Sequence, residues 1–210
     1  GTINVSGNNS AGLYINSNSN NVTNSGTITN SGTSSSGINL LGDNNTISHS
    51  GTITSSGSNS FGFSIAGSSN TITSTGNYTA SGGSASAVYL NSNSNTFANA
   101  GTITLSGSSA KGLYINSDSN AVTNSGTITS TGSGAPAIYL NNADSNTITH
   151  SGTITTSGSN AYAIQITGNS SSNNFILNSK NIVGEIFSDS SASNTLTINN
   201  DYGNSSYFIS

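Results

Sequence analysis

Six carboxylates, two imidazoles and a large supply of hydroxyls are the groups in this sequence with chemistry to offer. Asp43, Asp118, Asp144, Glu185, Asp189 and Asp201 are scattered along the chain. A polysaccharide-cleaving site would need several carboxylates on one outward face, to bind calcium or activate water, with a Lys or Arg beside them to take a proton. The only basic side chains besides histidine are Lys111 and Lys180, and there is no Arg. His49 and His150 lie 101 residues apart, and the spacing predicts solvated turn residues rather than ligands. Ser is abundant, but no paired His and Asp accompanies it as a nucleophilic triad requires. The calcium-binding repeat GGxGxD is absent. The sequence predicts no enzyme, no catalytic residue, no metal site and no cofactor.

A different chemistry lies in hydroxyls and rings that recur. Thr27 and Thr29, Thr52 and Thr54, Thr102 and Thr104, Thr127 and Thr129, and Thr153 and Thr155 each flank an Ile, while Thr2 and Thr79 are half-pairs with Asn4 and Asn77. The next position varies as Val5, Asn30, Ser55, Ala80, Leu105, Ser130 and Thr156. Two Thr at i and i+2 of a strand point the same way, ~6.5 to 7 Å apart, and pairs stacked on adjacent strands repeat every ~4.8 Å. That makes a flat grid of hydroxyls and methyls, a candidate face for ice or a partner. A less regular set comprises Thr71 and Thr73, and Thr147 and Thr149. Tyr89, Tyr114 and Tyr139 form a second recurring file, flanked by Lys111 and Pro136. Exposed rings can hold a sugar or a partner, and stacking between neighbouring rings is the alternative use.

The elements that position these files come from a repeat. Copies begin at Gly1, Gly26, Gly51, Gly76, Gly101 and Gly126, a seventh starts at Gly152 after one extra residue, and a degenerate eighth runs from Lys180. Each copy holds three short alternations, such as Thr102-Ile103-Thr104, Leu113-Tyr114-Ile115 and Ala121-Val122-Thr123, which suit strands and are too short for helices. One copy alone buries nothing, so identical copies must stack. The predicted fold is all-β, a right-handed parallel β-helix or solenoid with three short strands per 25-residue coil and about eight coils. Residues 1–179 form seven coils, and 180–210 a terminal coil of the same domain.

Columns down the stack support that fold. One inward file is Ile3, Ile28, Ile53, Tyr78, Ile103, Ile128 and Ile154. The second strand supplies two, running from Leu13 to Ile164 and from Ile15 to Ile166, and the third strand one, Val22, Ile47, Ile72, Phe97, Val122, Ile148 and Ile176. Four apolar residues per rung make a thin core. Asn20, Asn45, Asn70, Asn95, Asn120, Asn146 and Asn174, with Asn194, form a polar file read as a structural ladder of bonded amides. Asp43 and Asp118 share a turn position three coils, or about 14 Å, apart, too far for a dyad. Inserted residues fall in the turn before the ladder, one around Asn141-Asn142-Ala143-Asp144 and three around Asn169-Ser170-Ser171-Ser172.

A net charge of −4 with no basic cluster argues against nucleic acid and anionic membranes. No apolar run approaches the ~20 residues needed to cross a bilayer, so this segment is not expected to insert. There is no Cys, hence no disulfide.

Copies such as GTITSSGSNSFGFSIAGSSNTITSTG, with KNIVGEIF and SNTLTINN near the end, resemble the passenger β-helices of bacterial autotransporters, the type V secreted surface proteins. The resemblance implies an extracellular chain, secreted or at the cell surface, serving adhesion, aggregation or scaffolding, and self-associating end to end or side by side. The Thr-x-Thr rows also resemble the faces of insect antifreeze solenoids, which implies ice as an alternative ligand. The Tyr strip leaves a host or cell-surface glycan as a third.

Overall fold

The computed structural model describes residues 1–178, 181–189 and 193–199, and within these there is no helix. The chain winds through eight coils, and each coil contributes one strand to each of three eight-stranded parallel sheets. In the fifth coil the strands are Thr102–Leu105, Lys111–Ile115 and Ala121–Asn124. Each pairs with its counterpart in the adjacent coil, residue on equivalent residue: Ile103 on Ile128, Leu113 on Ile138, Val122 on Ile148. The sequence period and the structural period therefore coincide, and through the first six coils the sequence columns are physical files along the axis. Tyr207, Phe208 and Ile209, which read as a further strand in the sequence, lie outside the described residues.

Two of the three corners turn on a residue with positive φ. Asn9, Ser34, Asn59, Ser84, Ser109, Gly134 and Asn160 form one such file between the first and second sheets, and Ser19 through Ser172 form the other, between the second and third. Asn, Gly and Ser are tolerated there for their small or locally bonding side chains. The third corner is a two-residue bend, as at Ser125-Gly126. It is too tight for a side chain at the opening glycine: a Cβ on Gly101 would lie 1.8 Å from the Gly76 carbonyl oxygen of the coil below.

The interior holds more than the four expected apolar files. Ile28, Ile103, Leu113, Ile115 and Val122 are buried as expected. So are two further files, because side chains two apart on a strand share a face. Asn30, Ser55, Ala80, Leu105 and Ser130 point inward beside the Ile file, where Asn30 Nδ2 donates to the Ser35 carbonyl at 2.9 Å and Ser130 Oγ to the Ala135 carbonyl at 2.6 Å. The file Asn24, His49, Ser74, Asn99, Asn124, His150 and Leu177 also lies inside. The histidines are thus core residues rather than solvated turn residues; His49 is 2 % exposed and His150 0 %.

Two register assignments change in the seventh coil. Phe175, not Ile176, pairs with Ile148 and fills the core. The ladder passes through Asn173, not Asn174: Asn146 N–H donates to Asn173 Oδ1 at 2.8 Å, and Asn173 N–H to Asn194 Oδ1 at 3.1 Å. The turn before the ladder accordingly gains two residues rather than three, since Asn120 to Asn146 spans 26 positions and Asn146 to Asn173 spans 27. Along the ladder the recurring bond is backbone N–H to the side-chain oxygen one coil up, from Asn20 to Asn194. Direct amide-to-amide bonds join Asn20 to Asn45, Asn146 to Asn173 and Asn173 to Asn194.

The eighth coil is shortened. Its strands Asn181–Val183 and Glu185–Ser188 are separated by Gly184 alone, at φ +142°, where a Cβ would lie 2.1 Å from Thr156 Oγ1. The shortening shifts the register by one residue between Tyr162 and Ile164.

Candidate functional faces

The first sheet turns its Thr pairs outward in register. Thr27 and Thr29 lie on Thr52 and Thr54, Thr102 and Thr104 on Thr127 and Thr129, and these on Thr153 and Thr155. Asn77 and Asn4 interrupt the grid where the sequence places them. Strand geometry sets the grid at ~6.5 to 7 Å by ~4.8 Å. Among the described residues, the hydroxyls of these ten Thr form no hydrogen bond with protein atoms, so hydroxyls one rung apart are not paired with one another. Their donors and acceptors face outward for water or a ligand. The third sheet carries a second, less regular Thr face, with Thr71, Thr73 and Thr147 exposed and Thr149 half-buried, although Thr73 Oγ1 donates to the Ile47 carbonyl at 3.4 Å.

Among the described residues, side-chain charge is confined to one side of the rod, a sidedness that scattered sequence positions conceal. Among the described residues, Lys111 and Glu185 lie on the second sheet and Asp43, Asp118, Asp144 and Asp189 in the turn that follows it. The outward rows of the first and third sheets carry none.

The second sheet holds the aromatic strip. Ring centroids of Tyr89 and Tyr114 are 4.8 Å apart at 31°, and those of Tyr114 and Tyr139 5.1 Å apart at 36°. Rings lying flat side by side could not approach so closely, so neighbouring rings overlap at a tilt. Phe61 extends the stack below Tyr89 at 5.1 Å and 18°. The column pattern does not reveal it, because Phe61 sits at the start of its strand, three positions before Ser64, the residue in register with Tyr89. Tyr14, 60 % exposed, stands apart from the stack. The phenols are bonded too: Tyr89 donates to Asn91 Oδ1 at 2.9 Å, Asn116 Nδ2 donates back to Tyr89 Oη at 3.3 Å, and Thr167 Oγ1 donates to Tyr139 Oη at 2.9 Å. Lys111 Nζ lies 5.4 Å and 5.8 Å from the Tyr114 and Tyr139 ring centroids, and burial lowers its pKa. Burial likewise raises the phenol pKa of Tyr89 and of Tyr114. Ring faces that a sugar would stack against are largely turned to one another, so the strip presents mainly edges.

The carboxylates are less dispersed than their positions suggest. Asp144 stands one coil above Asp118, its N–H donating to Asp118 Oδ1 at 2.8 Å, and Asp144 Oδ1 accepts from Ser171 N–H and Oγ. The residue inserted in that turn brings the two into one file, which an ungapped count of positions does not reveal. Both act as acceptors for the next coil's backbone, as Asn18 and Asp43 do for Asp43 and Ser68. No group of three or more His, Cys, Asp or Glu that could hold a metal occurs among the described residues. No helix among the described residues is long and apolar enough to cross a membrane.

No family model matches this sequence, and no curated protein or solved structure matches it either. The chain is a parallel β-solenoid of three sheets and about eight coils, and its faces are the basis for a functional reading.

Proposed function

We propose that this chain is a non-enzymatic extracellular rod whose first and third sheets present uncharged, repeating hydroxyl faces for adhesion or self-association. The observation that carries this reading is the first-sheet grid: Thr hydroxyls in register, without protein partners among the described residues, on a face without charge. Such a face suits a neutral, repetitive partner, either a glycan-covered surface or another copy lying alongside or end to end. Likeness of the repeats to autotransporter passengers supports the extracellular setting. The test is light scattering and cell-clumping with the purified chain, beside Thr104→Lys and Thr129→Lys, which place charge on the face. Concentration-dependent association in the native chain, lost in both variants, supports the reading. A native chain that neither associates nor clumps cells at any concentration overturns it.

A second reading, ice binding, is favoured by the same grid's two regular spacings, which suit an ordered layer of water. Thermal hysteresis in the native chain that disappears in Thr104→Tyr supports it, and a native chain without hysteresis or inhibition of ice recrystallisation rules it out.

A further inference from the structure

Inside the corner between the third and first sheets, each buried imidazole is held in one tautomer by an asparagine whose own orientation is fixed. Gly26 N–H donates to Asn24 Oδ1 at 3.2 Å, so the NH2 half of that amide meets His49 Nδ1, at 3.0 Å. Four coils on, Asn99 Nδ2 donates to Asn124 Oδ1 at 2.7 Å, and the Asn124 NH2 meets His150 Nδ1 at 3.0 Å. Nδ1 is therefore the acceptor in both rings, and the proton resides on Nε2. Both Nε2 atoms are buried with no hydrogen-bond partner.

An added proton has only Nδ1 to occupy, where it would point at an amide NH2, donor against donor. Relief requires the asparagine to flip. In one case the flip deprives Gly26 N–H of its acceptor, and in the other it deprives Asn99. The backbone of Asn24 or Asn124 offsets only part of the cost of the charge. His49 packs between Asn24 below and Ser74 above, and against the rings of Phe63 and Tyr78 at 5.7 Å and 5.2 Å. Tyr78 is titratable but neutral, its hydroxyl donating to Ser74 Oγ at 2.8 Å and its phenol pKa raised by burial. His150 packs between Asn124 and Leu177. No carboxylate or ammonium among the described residues bonds to either ring.

We infer that His49 and His150 are acid-operated latches: protonating either imidazole breaks the interior polar file at its own coil and opens the junction of the third and first sheets there. The burial that disfavours the charged form brings each ring from an ordinary value of 6.5 to about 4, against a smaller opposing hydrogen bond with the backbone of Asn24 or Asn124. The folded value lies below the unfolded one, so the unfolded chain binds more protons between them. This contribution to stability is complete above pH 6.5 and is lost as pH falls through 4, by about 300-fold in the folding equilibrium for each ring once pH is below both values. Each coil contacts only its neighbours in a solenoid, so opening at two coils need not melt the whole rod.

The test compares the native chain with His49→Asn/His150→Asn, because Asn already occupies this file in Asn24, Asn99 and Asn124. We expect the native urea midpoint to fall between pH 6.5 and 4 and the double variant to lose most of that fall, carboxylate effects being common to both. Ring-proton NMR of the native chain should give both imidazoles titration midpoints near 4, and this measurement decides the matter should the variant fail to fold. An imidazole titrating near 6.5 in the folded chain overturns the inference, as does a double variant that keeps the native acid profile.

Discussion

Asp144 N–H donates to Asp118 Oδ1 at 2.8 Å, so two carboxylates that lie 26 residues apart in sequence occupy consecutive coils of one turn file. Their role there is backbone capping. Asn does the same work elsewhere in the file, where Asn93 Oδ1 accepts from Asp118 N–H at 2.9 Å. Asp118→Asn should therefore keep the bond and remove a like-charge neighbour, leaving stability unchanged or raised by a few tenths of a kcal/mol, most visibly at low salt. Asp118→Ala should cost about 1 kcal/mol by leaving Asp144 N–H without its acceptor. Urea denaturation at two ionic strengths checks both, and equal losses in the two variants would contradict the capping role.

The seventh coil offers a sharper comparison. Asn173 is buried in the ladder and both donates to and accepts from neighbouring coils, whereas the adjacent Asn174 pairs with Thr147 on the outward face of the third sheet. Asn173→Ala strands the N–H of Asn146 in the interior and should cost about 2 to 3 kcal/mol. Asn174→Ala should stay within about 0.5 kcal/mol, as surface changes do. A reversed order in thermal denaturation would return the ladder to Asn174.

That pair shows where the sequence stops being legible. Coil period, three sheets, the Thr rows and the Asn ladder through Asn146 follow from strict repetition, since identical neighbours force identical environments. In the seventh coil the turn lengthens, and two adjacent Asn followed by Phe175 and Ile176 fit the pattern in either register. Packing decides between them: the larger Phe175 fills the lumen. The misplaced histidines have a different cause. Val22 already points inward, so parity alone places residue 24, and with it His49 and His150, inside; polarity suggested the surface, but bonds to Asn24 and Asn124 make the interior tolerable. The stack containing Phe61 was hidden because ring contact bridges different strand positions, which column alignment does not compare.

The tyrosine stack responds to alkali. Burial raises the phenol pKa of Tyr89 and of Tyr114, with hydrogen bonds to Asn116 and Asn141 opposing it. A folded value above the unfolded one means that this contribution to stability is complete below the usual phenol value of about 10 and is lost as pH rises through the folded value. Phenolate absorbance should thus show a late-titrating fraction, and denaturant midpoints should fall above pH ~10. In Tyr114→Ala the late fraction should shrink by more than one tyrosine, because removing Tyr114 also exposes a face of Tyr89. Loss of one tyrosine's absorbance alone, with the remaining curve unchanged, would mean that the rings titrate without regard to their stacking.

Two glycines test whether close stacking of coils sets the choice of residue. A Cβ on Gly101 would lie 1.8 Å from the Gly76 carbonyl oxygen and 2.8 Å from its carbon, both backbone atoms that cannot rotate away. Gly101→Ala must therefore push two coils apart at a corner, against strands bonded on either side, and should cost about 3 kcal/mol or more. Gly83, in the turn between the first and second sheets of the fourth coil, has nothing within 4 Å of where its Cβ would be, and its φ is not positive. Gly83→Ala should instead stabilise the chain by about 0.4 to 1 kcal/mol, because it restricts the unfolded state without straining the folded one. Opposite signs in urea denaturation are the expected outcome. A tolerated Gly101→Ala would mean that the corner is looser than the backbone spacing indicates, and the repeat's opening glycine would need another explanation.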